Sequence, residues 1–154
     1  MADFPLTYDP ELHALRLDGP GGASVLVGIF LKAKFGESYD PETLFNPGLA
    51  SIAREIFAHS LFPSAAAEGP FPKEMLFKIA RRIVEQSWHT AWWEKSADER
   101  VAYLQEVVAS PFTFTDEQIG YILEAIEREL YLRRRVAHAA DAAGEPSERA
   151  NRIE

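Results

Sequence analysis

Two stretches of the chain, "SADERVAYLQEVVAS" (96–110) and "TDEQIGYILEAIERELYL" (115–132), open alike, and that opening constrains the fold more than any other feature. Each starts on a hydroxyl side chain followed three residues later by Glu or Gln: Ser96 with Glu99, and Thr115 with Gln118. The hydroxyl accepts from the free N–H groups of a first helical turn while the longer side chain reaches back to the backbone before it, so each pair marks a helix start. Behind each start the apolar residues recur at three- and four-residue intervals, Val101, Leu104 and Val108 in the first, Ile119, Ile122, Leu123, Ile126 and Leu130 in the second. That period places them on one face of a helix, and such faces must be buried against other elements.

Two further segments supply such elements. In "KEMLFKIARRIVEQSWHTAWW" (73–93) Met75, Leu76, Ile79 and Ile83 form one apolar face, and the spacing predicts a single helix from about Pro72 to Trp93. In "GLASIAREIFAHSLFP" (48–63) Leu49, Ile52 and Ile56 have helical spacing and Pro63 is the stop. Residues 1–47 read differently, with "DGPGG" at 18–22 and the pairs Asp9-Pro10 and Asp40-Pro41 as turn signals. There "LHALRL" and "SVLVGIFL" have the composition to pair as a hairpin, and a helix from about Ala23 to Phe35 competes with that reading. The expectation is a mainly α fold, an irregular bundle of four to five helices with a loop-rich N-terminal segment suited to a small β-hairpin. It is read as one domain over 1–140, with the segment 1–47, a helical core 48–140 and a flexible tail 141–154.

Composition removes several function classes. There is no cysteine, which excludes disulfides, thiolate zinc sites and a thiol nucleophile. The 16 Lys and Arg against 24 Asp and Glu leave a charge of −8, which repels a phosphate backbone and disfavours nucleic acid as a partner. The longest apolar run, "ASVLVGIFL", is far short of a bilayer span and the start of the chain does not resemble a signal peptide, so no membrane role and a cytoplasmic location are expected. No phosphate-binding loop, nucleophile elbow or calcium loop is present.

All three tryptophans, Trp88, Trp92 and Trp93, lie in one short stretch. On a single helix from 72 to 93, Trp88 and Trp92 fall away from the main apolar stripe and beside Arg81 and Glu85, whereas Trp93 turns towards the core. Three readings follow. A central helix is covered on both sides; or Arg81, Glu85, Trp88 and Trp92 form an aromatic anchor for another protein, since Trp and Arg are enriched in interface hot spots; or the stretch lines a site for an apolar small molecule. The last helix carries a second line, Tyr121, Ala125, Leu132 and Val136, which suits self-association as a homodimer or contact with the N-terminal segment.

The histidines offer a rival class. Glu55 with His59 and Glu85 with His89 each stand four residues apart, on one helix face, and two such pairs on neighbouring helices would suit a divalent metal. The spacing matches neither the Glu-x-x-His of di-iron bundles nor the zincin pattern. The function expected from sequence is therefore a non-enzymatic, soluble protein-binding module, an adaptor, inhibitor or assembly factor without a cofactor. A Glu/His metal-binding protein or metal-dependent enzyme is the alternative.

Overall fold

A computed structural model describes residues 6–17, 19–61 and 71–143. Both capped starts are formed as read. Ser96 N–H donates to Glu99 Oε2 at 2.7 Å and Glu99 N–H to Ser96 Oγ at 3.3 Å; Thr115 N–H donates to Gln118 Oε1 at 2.9 Å and Gln118 N–H to Thr115 Oγ1 at 3.2 Å. The elements in chain order are strands β1 (Leu6–Asp9) and β2 (Ala14–Leu17), then helices α1 (Gly19–Phe35), α2 (Pro41–Phe45), α3 (Pro47–Ala58), α4 (Lys73–Glu85), α5 (Ser87–Thr90), α6 (Ala97–Tyr103) and α7 (Asp116–Ala143). The fold is mainly helical, and no helix among the described residues is long and apolar enough to cross a membrane.

The N-terminal region corrects the pairing expected from sequence. Val25, Val27 and Ile29 lie on helix α1, so "SVLVGIFL" is not a strand, and the residues opposite β2 are those of β1, with Leu6 facing Leu17 and Asp9 facing Ala14. The β-branched run is helical because Val27 and Ala23 are needed against α3, a tertiary contact that outweighs a local β preference. Gly36 ends α1 by a close approach, since a Cβ there would stand 2.3 Å from the Lys32 carbonyl oxygen. Asp40-Pro41 proves to be a helix start: the Asp40 carboxylate accepts from Thr43 N–H at 3.0 Å and Pro41 begins α2. Asn46 does the same for α3 through Leu49 N–H at 3.1 Å.

On α3 the buried row is Ala50 and Ala53, while Ile52 is 54% exposed and Leu49 and Ile56 are half-buried, so the row read from sequence is displaced around the helix. Small residues face inward because the next layer comes very close: Ser110 Oγ donates to the Ala50 carbonyl at 2.6 Å. That layer is the wide π turn Leu104–Val108 which continues α6, and two side chains bind its end. Buried Lys34 donates Nζ to the carbonyls of Val107 and Ser110, and Arg54 donates to the Glu106 carbonyl at 2.7 Å. Cations thus satisfy carbonyls that a helix C-terminus leaves without partners.

One apolar cluster runs from Leu44 and Phe45 through Leu76, Ile79 and Ile83 to Leu104, Val108, Ile119, Ile122 and Ile126. Phe112 and Phe114, in the connection before α7, close it against Phe35, Phe57 and Phe71 with ring centroids 4.8 to 6.5 Å apart. Helices α4 and α7 make the most extensive contact. Lys73 Nζ lies over the Tyr121 ring and Glu85 meets Arg133, so the two helices run parallel and in step. Residues 144–154, most of the expected tail, lie outside the described residues, as does Pro63, the expected stop of α3; α7 itself continues to Ala143.

Candidate functional site

The helix read as 72–93 is broken. It ends at Glu85, resumes as α5, and reverses at Ala91, whose φ of 48° and ψ of 36° are left-handed; Trp92–Glu94 then forms a 3-10 turn. An angular argument at 100° per residue holds only while the helix is continuous, so its conclusions for the last two tryptophans invert. Trp92 is 1% exposed and belongs to the core, packed edge-on to Tyr103 at 6.4 Å with the Arg100 guanidinium over its ring. Trp93, expected inside, is 43% exposed. Trp88 is 77% exposed.

Of the residues expected at a partner surface, Arg81, Glu85 and Trp88 are therefore outside and Trp92 is not. Glu85 Oε1 accepts from Arg81 Nε at 3.1 Å and from Arg133 Nη2 at 3.4 Å, and Arg133 Nε donates to Glu129 at 3.1 Å. This network, between the end of α4 and the middle of α7, joins two groups that sequence treats as separate. Arg133 sits between Leu132 and Val136, which are 48% and 69% exposed. Tyr121, the third residue of the expected self-association strip, is half-buried against the core and engaged by Lys73, and Ala125 is buried, so that strip is split. What remains outside is Trp88, just after the end of α4, and Leu132 and Val136 on α7, on either side of the exposed Arg81–Glu85–Arg133 contact.

The metal constellation does not assemble among the described residues. Glu55 Oε1 and His59 Nε2 are 3.4 Å apart, but both side chains are well exposed, and Glu85 is committed to two arginines. The His89 side chain lies outside what is described, and no group of three or more His, Asp or Glu side chains placed to hold an ion occurs among the described residues. Glu55 and His59 instead border a groove of about 430 Å³ lined by Gly19, Pro20, Ala23 and Ile56.

Sequence reasoning missed two cations. Lys34 is fully buried, between Phe30 and Phe35, and the run "FLKAKF" with aromatic residues beside lysines was the available signal. Burial, and then the nearby charge of Arg54, bring its ammonium down from 10.5 to about 7. Arg82 is buried; its guanidinium stacks on Tyr39 at 3.9 Å and donates to the Gly36 carbonyl at 2.8 Å. No protein-family model, curated protein or solved structure matches the chain, so function must be argued from these surfaces alone.

Proposed function

We propose that the protein is a non-enzymatic protein-binding module whose contact surface is the end of the α4–α7 pair. The supporting observation is a row, apolar except for Glu129, that runs out from under its cover. Along α7, Ile122, Ala125, Glu129, Leu132 and Val136 follow one another at intervals of three and four residues, the spacing of a helix-packing seam. Ile122 and Ala125 are buried and the Glu129 side chain is nearly so, whereas Leu132 and Val136 are open. The change comes where α4 ends, at the level of the Glu85–Arg133 contact. Trp88 follows one turn later.

An amphipathic helix of another protein, laid end to end with α4, would continue the seam and cover Trp88, Leu132 and Val136. The paired charges of Arg81, Glu85 and Arg133 would form its polar rim. A large exposed aromatic beside an arginine is the combination enriched in binding hot spots.

The test is photo-crosslinking in the producing cell, with the reactive side chain placed at position 88, at position 136, or at exposed Glu37 as control. Adducts with a second polypeptide from 88 and 136 and none from 37 are expected. A paired Trp88→Ser, Val136→Ser variant should lose that partner and melt within about 2 °C of the parent, because exposed positions contribute little to stability. Absence of adducts at both positions, or a collapse of the melting temperature, would refute the reading.

A further inference from the structure

Helix α7 has a second outward face, about a third of a turn around from Leu132 and Val136. Glu124, Glu127, Tyr131, Arg134, Arg135 and His138 share it at about 100° per residue, and all are exposed. Charge on this face is largely segregated: two acids precede Tyr131 and two arginines follow it, with Arg128, at the edge beside Arg135, the one basic residue before Tyr131. The helix macrodipole does not explain the order, since its influence is confined to the terminal turns. Glu124 lies about two turns inside Asp116, and the last turn of α7 holds no basic residue.

Two more observations bear on this face. Residues 131–141 are all exposed, about three turns of helix that are marginal in water without a neighbour. Beside the acids, α6 and α7 enclose a groove of about 380 Å³ in which Asp98, Glu124 and Glu127 outnumber a single cation, Arg100, among apolar Val101, Leu123 and Ile126. An acid-lined groove and an arginine-bearing helix end therefore occur on one element, at opposite ends of one face.

We propose that α7 pairs antiparallel with α7 of a second copy about a two-fold axis next to Tyr131. In this register Glu127 of each copy meets Arg134 of the other, and Glu124 meets Arg135. The two pairs have midpoints within one residue of Leu130, so a single axis serves both. Glu127 and Arg134 are seven residues apart and Glu124 and Arg135 eleven, each close to a whole number of turns, so each pair keeps to its own edge of the face. The two-fold repeats every contact, brings the two Tyr131 rings together and lays each basic helix end over the acidic groove of the other copy. Local complementarity is required because two molecules of charge −8 repel one another at a distance. This inference concerns a different face from the partner surface above and stands independently of it.

The test is sedimentation velocity on the full chain from about 1 μM to about 1 mM, in low salt and in about 1 M salt. A dimer that dissociates in high salt is expected. Two charge-reversed proteins are then compared, Glu124→Lys with Glu127→Lys, and Arg134→Glu with Arg135→Glu; all four positions are exposed, so the fold is left intact. Each alone should dimerise about 100-fold more weakly than the parent, because every facing pair becomes like-charged. Mixed in equal amounts they should form a one-to-one heterodimer, because every facing pair is again opposite in charge. A parent monomeric throughout the range, undiminished dimerisation in either variant, or a mixture that stays monomeric would each overturn the proposal.

Discussion

Lys34 makes the stability of this protein depend on pH in a window where few other groups titrate. Its amine is buried between two phenylalanines and held near 7, against 10.5 for a solvated lysine. The lowered value means that the folded state favours the neutral amine, so between those two pH values the unfolded chain binds one more proton than the folded one. Stability therefore rises with pH across the window, at up to about 1.4 kcal/mol per unit, and the contribution is lost as pH falls from 10.5 towards 7. Over the whole window this amounts to about 5 kcal/mol, and between pH 7.5 and 9.5 to about half of that. For 154 residues the latter corresponds to a melting temperature about 8 °C higher at pH 9.5. Above about pH 10 the rise is cancelled and then reversed, because burial raises the Tyr103 phenol and the unfolded chain loses its tyrosine proton first. The assay is urea unfolding at half-unit intervals from pH 6.5 to 9.5, on the parent and on Lys34→Met. Loss of the two hydrogen bonds to Val107 and Ser110 will lower the absolute stability of the variant, so the quantity to compare is the slope. A parent whose stability is flat in pH, or a variant with the parent's slope, would show the reasoning to be wrong.

Two further predictions use paired substitutions of opposite expected outcome. Trp92→Ala removes a ring that is 1% exposed and should cost about 3–5 kcal/mol in chemical denaturation, while Trp88→Ala, at 77% exposure, should change stability by less than about 0.5 kcal/mol; equal losses would contradict the left-handed reversal at Ala91. Gly36→Ala must displace a backbone carbonyl 2.3 Å from the new methyl and should destabilise by more than about 1 kcal/mol, whereas Gly28→Ala, in the interior of α1 with nothing within 4 Å, should stabilise by about 0.5–1 kcal/mol. Thermal unfolding of both glycine variants reads the difference in sign directly.

How much of this was legible in the sequence divides along a physical line. The capping boxes at Ser96 and Thr115 could be read because a cap is a contact across three residues and needs nothing else in the molecule. The core faces of α4 and α7 could be read because they repeat over several turns, and Leu76, Ile79, Ile83, Ile119, Ile122 and Ile126 are all buried as their spacing requires. The break after Glu85 could not, because no proline or glycine marks it. Ala91 adopts a left-handed conformation that alanine does not favour, and burial of the Trp92 ring against Tyr103 accompanies it. The same holds for Lys34: its place inside depends on carbonyls more than seventy residues away in the chain. The candidate surface was legible in part for the same reason. Arg81, Glu85, Trp88, Leu132 and Val136 were identified separately, but only the Glu85–Arg133 contact shows that they share one end of the molecule.

The two surfaces proposed for α7 have a geometric relation that affects how the protein would act. Val136 and Glu127 are nine residues apart, which at about 100° per residue puts them on opposite sides of the helix. An antiparallel dimer built on the Glu127 side would leave Val136 of each copy on the far side of its helix, with Leu132 between it and the edge of the seam, and the two ends related by the two-fold. Binding at one surface then need not compete with the other, and a dimer would present two equivalent docking sites at a fixed separation. A partner that is itself dimeric would gain avidity from that arrangement without any additional contact. In that case the two charge-reversed proteins would each bind a monomeric partner helix as tightly as the parent does, yet lose affinity for a dimeric partner, and mixing them would restore it.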